Sequence, residues 1–587
     1  MTIELSKHSS RNRLAVPIPA DQRVQRALLI QFFITVFLTI CGFRLAQLQL
    51  VQGQHHRTLA EQNRVSLIPI PADRGNILDR QGRLLAANRL KRSVYLAPRE
   101  QTATQWAQTA AKLGPILNIP AEEILAKLKQ SGYRAAVPVR ISRDLNPTAF
   151  VALAEQMGQV PGLEIRAEAN RYYPNGNLAA HVLGYIGEAT ETDLKRHPEY
   201  PMGMIVGQMG IERIANPTLA GVWGGELVEM DARGRQVKRL GTKSPQSGAP
   251  LRLTLDLDLQ KTAEQALANR RGAAVVLDVK TGAVLALASG PTFDPNLFTR
   301  RVTTTEWQRL QAEDKPFLNR ALQGYPPGST FKIVTAAAGM QSGRFSPDAI
   351  VMTYGAINLG GVLFHEHGGG GYGAIGFADA LAFSSNTFFY QVGIATGPEA
   401  ISQWGKRLGI GEITQLGLDG ENHGAIPTPT EKEKLYKEPW YGGDTVTMAI
   451  GQGLVQVTPL EMAVMSATIA NGGNRVKPHL LAAQTATMKP QASGISPAAL
   501  AVIRTGLAAV VERGTARQLA DGSIPPTAGK TGTAEVPGQR DNALFTGYGP
   551  VNNPQIAVAV VVENGGYGAE SAVPIAHEIY KTYFRKR

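Results

Sequence analysis

The sequence predicts an α+β protein of several domains behind a single membrane-spanning helix, and three features predict it. An uncharged apolar run, residues 27–43, stands near the start. Strand-like segments open at Leu251 and return at 542–550 and 555–564. Long helical patterns fill the interval between those strand groups, which suggests a sheet completed by its C-terminal strands with helices packed on it. The bulk numbers agree. A chain of 587 residues exceeds one ordinary domain. Apolar residues make up 43% and charged residues 18%, enough for buried cores and too little charge for a disordered chain. The net charge is +13, yet no long Lys/Arg run and no nucleic-acid motif appears, so no nucleic-acid partner is expected. The single cysteine, Cys41, excludes an internal disulfide, and its place inside the apolar run argues against a thiol nucleophile.

The apolar run reads ALLIQFFITVFLTICGF. Its length in helical form is about 25 Å, just short of a hydrocarbon core, and a snorkelling Arg44 lets Leu45 and Ala46 extend it. Lys7, Arg11, Arg13, Arg23 and Arg26 precede it, against Glu4 and Asp21. The positive-inside rule then puts the N-terminus in the cytoplasm and the rest outside. A cleaved signal peptide would need a small-residue site, which FRLAQLQL lacks, and Ile40 is too large before a lipoprotein cysteine. The expected layout is a tail at 1–26, an uncleaved anchor at 27–47 and one crossing.

Residues 48–250 are mixed and moderately polar. Trp106, Ala110, Leu113 and Leu117, then Ile124 and Leu128 after Pro120, have helical spacing. KSPQSGAP at 243–250 reads as a linker. LRLTLDLDL then alternates like a strand, which would put Asp256 and Asp258 on an exposed polar face. GAAVVLDVKTGAVLALASG reads as a hairpin turning at Lys280-Thr281-Gly282. Helical spacing marks 331–340, 460–470 and 572–584.

Three motifs carry candidate chemistry. In YPPGSTFK, residues 325–332, Ser329 falls at a helix start with Lys332 one turn on. A serine hydroxyl needs a base to become a nucleophile. A lysine, which ordinarily titrates near about 10.4, can serve near neutral pH if burial or other cations bias it by about 4 kcal/mol against its charge. The plain alternative is a serine cap with a solvated lysine. In FSSNTFFYQVG, Ser384 and Asn386 stand before an apolar helix, where a hydroxyl can relay a proton and an amide can bind a carbonyl; the alternative is capping alone. In AGKTGTAE, Lys530, Thr531, Gly532 and Thr533 suit recognition of a peptide carboxylate on a strand edge. Strict alternation puts Lys530 and Thr531 on opposite faces, so an edge or a local twist is required. Lys-Thr-Gly recurs at 280–282, where it reads as a turn.

Taken in order, Ser329-Thr-Phe-Lys332, Ser384-Ser-Asn386 and Lys530-Thr-Gly532 resemble the three active-site motifs of penicillin-binding proteins and serine β-lactamases. RGNILDRQGRLLA at 74–86, RYYPNG at 171–176, GQMGIE at 207–212 and GQGLVQVTPLEMA at 451–463 are similar to stretches of the monofunctional class B members, and the catalytic stretches look most like the elongation type. The resemblance implies an elongated mixed α/β pedestal or dimerisation domain at 48–250, with a helical head near 101–165. It implies a transpeptidase domain at 251–587 whose mainly antiparallel sheet is flanked by helices. It implies that Ser329 forms an acyl-enzyme with D-alanyl-D-alanine, Lys332 acts as base, and Ser384 with Lys530 passes a proton to the leaving group. Asn386 would hold the substrate amide, Thr531 and Thr533 the terminal carboxylate, and the amides of Ser329 and Thr533 the oxyanion. Partners so implied are peptidoglycan stem peptides, the membrane, β-lactams as inhibitors, and a membrane glycan polymerase of the elongation machinery, with the catalytic part outside the cell membrane. No cofactor is expected.

Rival readings are a septation-type enzyme, and a tethered penicillin sensor or scaffold. A β-lactamase would need a deacylating acid, and none is evident; a bifunctional enzyme would need a second catalytic domain where the class B stretches lie. His365, Glu366 and His367 in a glycine-rich loop fit no common zinc spacing, so they read as a loop and no metal is expected.

Overall fold

A computed structural model describes residues 20–54, 65–133, 135, 137–201, 203–231, 236–311 and 314–585. Most of the expected tail, residues 1–19, lies outside the described residues. The chain forms two compact units, residues 1–68 with 226–243, and residues 69–225 with 244–587.

The first unit holds an α-helix, Ala20–Ala46, running into a π turn, Gln47–Val51. Among the described residues it is the one helix long and apolar enough to cross a membrane. Its Phe32, Phe33, Phe37 and Leu38 are exposed. Thr35 and Thr39 donate their hydroxyls to Gln31 O and Thr35 O at 2.8 Å, so neither enters lipid unpaired. A three-stranded sheet joins Val65–Ile70, Gly224–Met230 and Gln236–Lys243, in that order.

In the second unit, a long strand, Leu84–Leu96, pairs antiparallel with Leu163–Tyr172. Helices Ala103–Leu117, Ala121–Ser131 and Pro147–Ala154 pack near its end. Trp106, Ala110, Leu113, Ile124 and Leu128 are buried together, the face that the spacing predicted. Thr102 starts the first helix with a capping box, and Asn118 ends it in the left-handed region at φ 53°. Three of the stretches that carry the resemblance, 74–86, 171–176 and 207–212, meet at one buried carboxylate. Arg74 and Arg171 each place Nε 2.6 Å from an oxygen of Glu212, and the Tyr173 hydroxyl donates to it at 3.1 Å. Burial alone would push the Glu212 carboxyl up; the two guanidiniums outweigh it and hold it below the usual range.

Two local expectations fail here. The alternating stretch at 251–259 is a strand only at Leu251–Arg252. Asp256 caps the helix α1, Leu257–Leu267, by accepting from Asp258 N and Leu259 N, and capping overrides the alternation. Asp256 is therefore buried, and Asp258 meets Arg83 at 2.9 Å. Residues 244–250 are no free linker either. Gly248 N donates to Asp73 O and Ala249 N to Thr218 O, and a Cβ on Gly248 would lie 1.9 Å from Leu219 O.

The C-terminal part is built on five antiparallel strands, β1 (Gly272–Asp278), β2 (Val284–Gly290), β3 (Ala528–Ala534), β4 (Asn542–Gly549) and β5 (Ile556–Val562), in the order β2-β1-β5-β4-β3. Both faces are covered. Ala274 and Val276 of β1 pack with α1 and the C-terminal helix Val573–Arg585, whereas Ala273 and Val275 face the helical layer that includes Pro459–Ala470. β3 is left as the edge beside that helical layer.

Glu212→Leu leaves two guanidiniums buried without a counter-charge. The expected loss is about 3–5 kcal/mol, read by thermal or denaturant unfolding against wild type.

Candidate active site

The chain enters the site through two prolines. Gly328–Phe331 forms a single 3-10 turn that runs into the helix α2, Lys332–Gln341. Gly328 has φ 51°, and a Cβ there would lie 2.4 Å from Thr533 O. Glycine is the residue type that tolerates both that conformation and that approach. Ser329 thus sits at the helix mouth against β3, and Lys332 one turn on is 0% exposed.

Ser384 lies between the helices Phe377–Ala382 and α3, Asn386–Thr396. It is itself in the left-handed region, φ 59°, a strained setting for serine. The helix cap is Ser385, whose Oγ accepts from Phe388 N at 3.3 Å. Ser384 and Asn386 are thereby released from capping, and their side chains turn to the lysines. Lys332 Nζ donates to Ser384 O at 2.7 Å, Asn386 Oδ1 at 2.6 Å and Ser384 Oγ at 3.3 Å. Ser329 Oγ receives none of these bonds. Lys530 Nζ donates to the same Ser384 Oγ at 2.9 Å and to Thr531 O at 3.2 Å.

The edge position of β3 resolves the alternation problem. Thr531 and Thr533 line the cleft beside Ser329. Lys530 reaches the site by turning its amine along its own strand to Thr531 O. The Thr531 hydroxyl is held by Thr515, a residue that no sequence motif singles out. Gly532 allows the strand to touch the turn that carries Ser329: a Cβ there would lie 2.8 Å from Pro327 O. The second Lys-Thr-Gly, 280–282, is a turn whose N–H groups bond Asp278 Oδ1. The cleft measures about 450 Å³.

Two buried amines share one cavity. Burial first, and then the charge on Lys530, push Lys332 well below the ordinary lysine range, with Glu366 pulling the other way. Burial alone brings Lys530 down to about 7. A neutral amine at Lys332 has two protons and a lone pair. Its two shortest contacts, to Ser384 O and Asn386 Oδ1, take the protons and leave the lone pair free to accept one. Of the set His365, Glu366 and His367, only Glu366 is buried, with its carboxylate bonded to Ser385, Asn386 and Thr387. That partnership with the second motif carries no signal in residue spacing.

The penicillin binding protein transpeptidase domain model matches residues 272–581, and the penicillin-binding protein dimerisation domain model matches 69–253. The chain belongs to the penicillin-binding protein transpeptidase family. Among curated relatives of this family member is the peptidoglycan D,D-transpeptidase MrdA of Acinetobacter baumannii, 33% identical over 97% of this chain and 89% of the relative. The protein of that name from Escherichia coli is 33% identical over 93% of this chain and 92% of its own length. Among solved structures, PBP2 of Helicobacter pylori in complex with MreC superposes with a TM-score of 0.81 at 28% identity, covering 89% of this chain and 99% of that one. A chain from a peptidoglycan synthase complex that coordinates polymerization and crosslinking gives 0.71 at 32% identity, covering 96% and 99%.

The glycine seam between Gly328 and Gly532 yields a direct test. Gly532→Ala should cost about 1–3 kcal/mol of stability through overpacking. By displacing Ser329 it should slow acylation by a fluorescent penicillin about 100-fold. Unfolding curves and labelling rates measured on the same preparation separate the two effects.

Proposed function

We infer that the chain is a serine-type peptidoglycan D,D-transpeptidase of wall elongation and cell shape. The observation that carries the reading is that the first and third motifs deliver Lys332 and Lys530 to one hydroxyl of the second, Ser384 Oγ, beside Ser329. Ser329 Oγ attacks the carbonyl carbon between the two terminal D-alanines and gives its proton to neutral Lys332. The backbone amides of Ser329 and Thr533 stabilise the tetrahedral oxyanion, a contribution of about 3–4 kcal/mol per donor in comparable sites. The C–N bond then breaks. The departing D-alanine amine takes a proton from Ser384, whose oxygen is resupplied by the lysines that bond it. Asn386 holds the peptide amide, and Thr531 and Thr533 with Lys530 hold the terminal carboxylate. An amine of a second stem peptide resolves the ester. A β-lactam supplies a leaving group that stays tethered, so its acyl-enzyme persists.

The apolar helix anchors the enzyme, and the basic residues before it support a cytoplasmic N-terminus with the catalytic part outside. For the pedestal, a partner role fits best: a membrane glycan polymerase docks there, supported by the likeness to a chain of a polymerizing and crosslinking complex. Deleting residues 101–165 should abolish co-purification of that polymerase; unchanged association sinks this part of the reading.

Fluorescent penicillin should label one serine in wild type and none in Ser329→Ala, with peptide mapping placing the adduct on Ser329. Rapid penicillin turnover instead of a stable adduct would point to a β-lactamase. The pH profile supplies a second check. Acylation needs Lys332 neutral, so the rate rises with pH through its depressed value and is complete well below 10.5. Lys530→Gln removes the positive neighbour, makes the Lys332 ammonium easier to keep, and moves this acid limb to higher pH.

A further inference from the structure

Glu366 belongs to a charged set that acyl transfer as described leaves unused, yet its surroundings are specific. It directly follows the hairpin Ala356–Leu359 and Val362–His365, which its own N–H closes by donating to Gly355 O at 2.8 Å. The side chain is 4% exposed and turned onto the start of α3. Oε1 accepts from Asn386 N at 2.5 Å and His367 N at 2.9 Å. Oε2 accepts from Ser385 Oγ at 2.6 Å, Thr387 Oγ1 at 2.7 Å and Thr387 N at 3.1 Å. Five donors saturate a carboxylate that offers about four lone-pair positions. Two of them are first-turn amides, where the helix dipole favours an anion. Burial pushes the carboxyl up, but the bonds from Ser385, Asn386 and Thr387 outweigh it and keep it ionised.

We propose that Glu366 is a positioning residue for acyl transfer, clamping Ser385-Asn386-Thr387 so that Ser384 Oγ and Asn386 Oδ1 stand at Lys332. The strain at Ser384 explains the need. A serine at φ 59° persists only if the residues after it are over-determined, and Glu366 binds all three. Asn386 is held from the same side twice, by its backbone N–H on Glu366 and by Nδ2 donating to His365 O at 3.4 Å, which leaves Oδ1 aimed at Lys332. The clamp also carries charge. Its anion favours the Lys332 ammonium and opposes the effects of burial and Lys530. The other titratable groups around the carboxylate are Tyr372 and Tyr390, with His365 and His367 flanking it in the chain.

This inference rests on the reading of Ser329 as the acylated residue, and the test keeps the two apart. Full-length wild type, Glu366→Gln, Glu366→Asp and Ser385→Ala are compared for fluorescent-penicillin acylation rate across pH, with unfolding curves for each. Glu366→Gln should acylate about 100-fold slower, the scale of a misplaced catalytic group. Its acid limb should lie at lower pH, because losing the anion makes the Lys332 proton easier to remove. Glu366→Asp keeps the charge but not the reach, so it should be slow with the limb unmoved. Ser385→Ala, which removes one of the five bonds, should slow acylation less. Equal rates and profiles for Glu366→Gln and wild type overturn the proposal. So does a loss that only tracks the unfolded fraction with an unmoved limb. Should Glu366→Gln fail to fold, a wild-type rate in Ser385→Ala overturns it instead. Absence of label on wild-type Ser329 would be a failure of the underlying function, not of the clamp.

Discussion

Two buried lysine amines within reach of one serine oxygen are each biased against carrying charge, and the architecture of the C-terminal part answers to that constraint. Lys332 is fixed by a helix whose first turn is pinned against an edge strand. Lys530 is fixed by the same strand and bent along it. Burial lowers both amines, and the charge on Lys530 adds to the effect at Lys332, so the cavity favours a neutral amine at Lys332. The sheet supplies rigidity: β3 has β4 on one side only, so its other side faces the cleft and can pair with an extended peptide.

The pedestal shows a similar economy of charge. Arg74, Arg171 and Glu212 come from segments separated by up to 138 residues, and they hold one another in a space that water does not reach. Arg83 does comparable work at the start of α1, where it joins Asp79 to Asp258. Removing one partner from such a set leaves the others stranded, which makes these contacts structural fasteners rather than incidental surface pairs.

Much of this was legible in the sequence. The hairpin at 272–290, the C-terminal strands, the helices near 331–340 and 460–470, and the membrane helix all follow from periodicity and length. The three motifs were found through resemblance as well as spacing, and their convergence fits that resemblance. What the sequence hid has physical causes. Asp256 looked like a strand residue because alternation is visible in a short window, whereas capping depends on whether the next residues turn into a helix. The 244–250 segment looked like a linker because Pro, Ser and Gly are common in linkers; glycine there serves close backbone packing. Glu366 read only as part of a loop, and Thr515 drew no notice, because their partners lie 19 and 16 residues away, joined by tertiary contact and not by period.

The glycines behind Ser329 carry a consequence for drug escape. Gly328, Gly532 and Gly568 each bring backbone within 3 Å of where a methyl group would stand. Escape from β-lactams by small side-chain steps in that wall therefore carries a cost in stability and in acylation, because a Cβ at any of the three must move backbone.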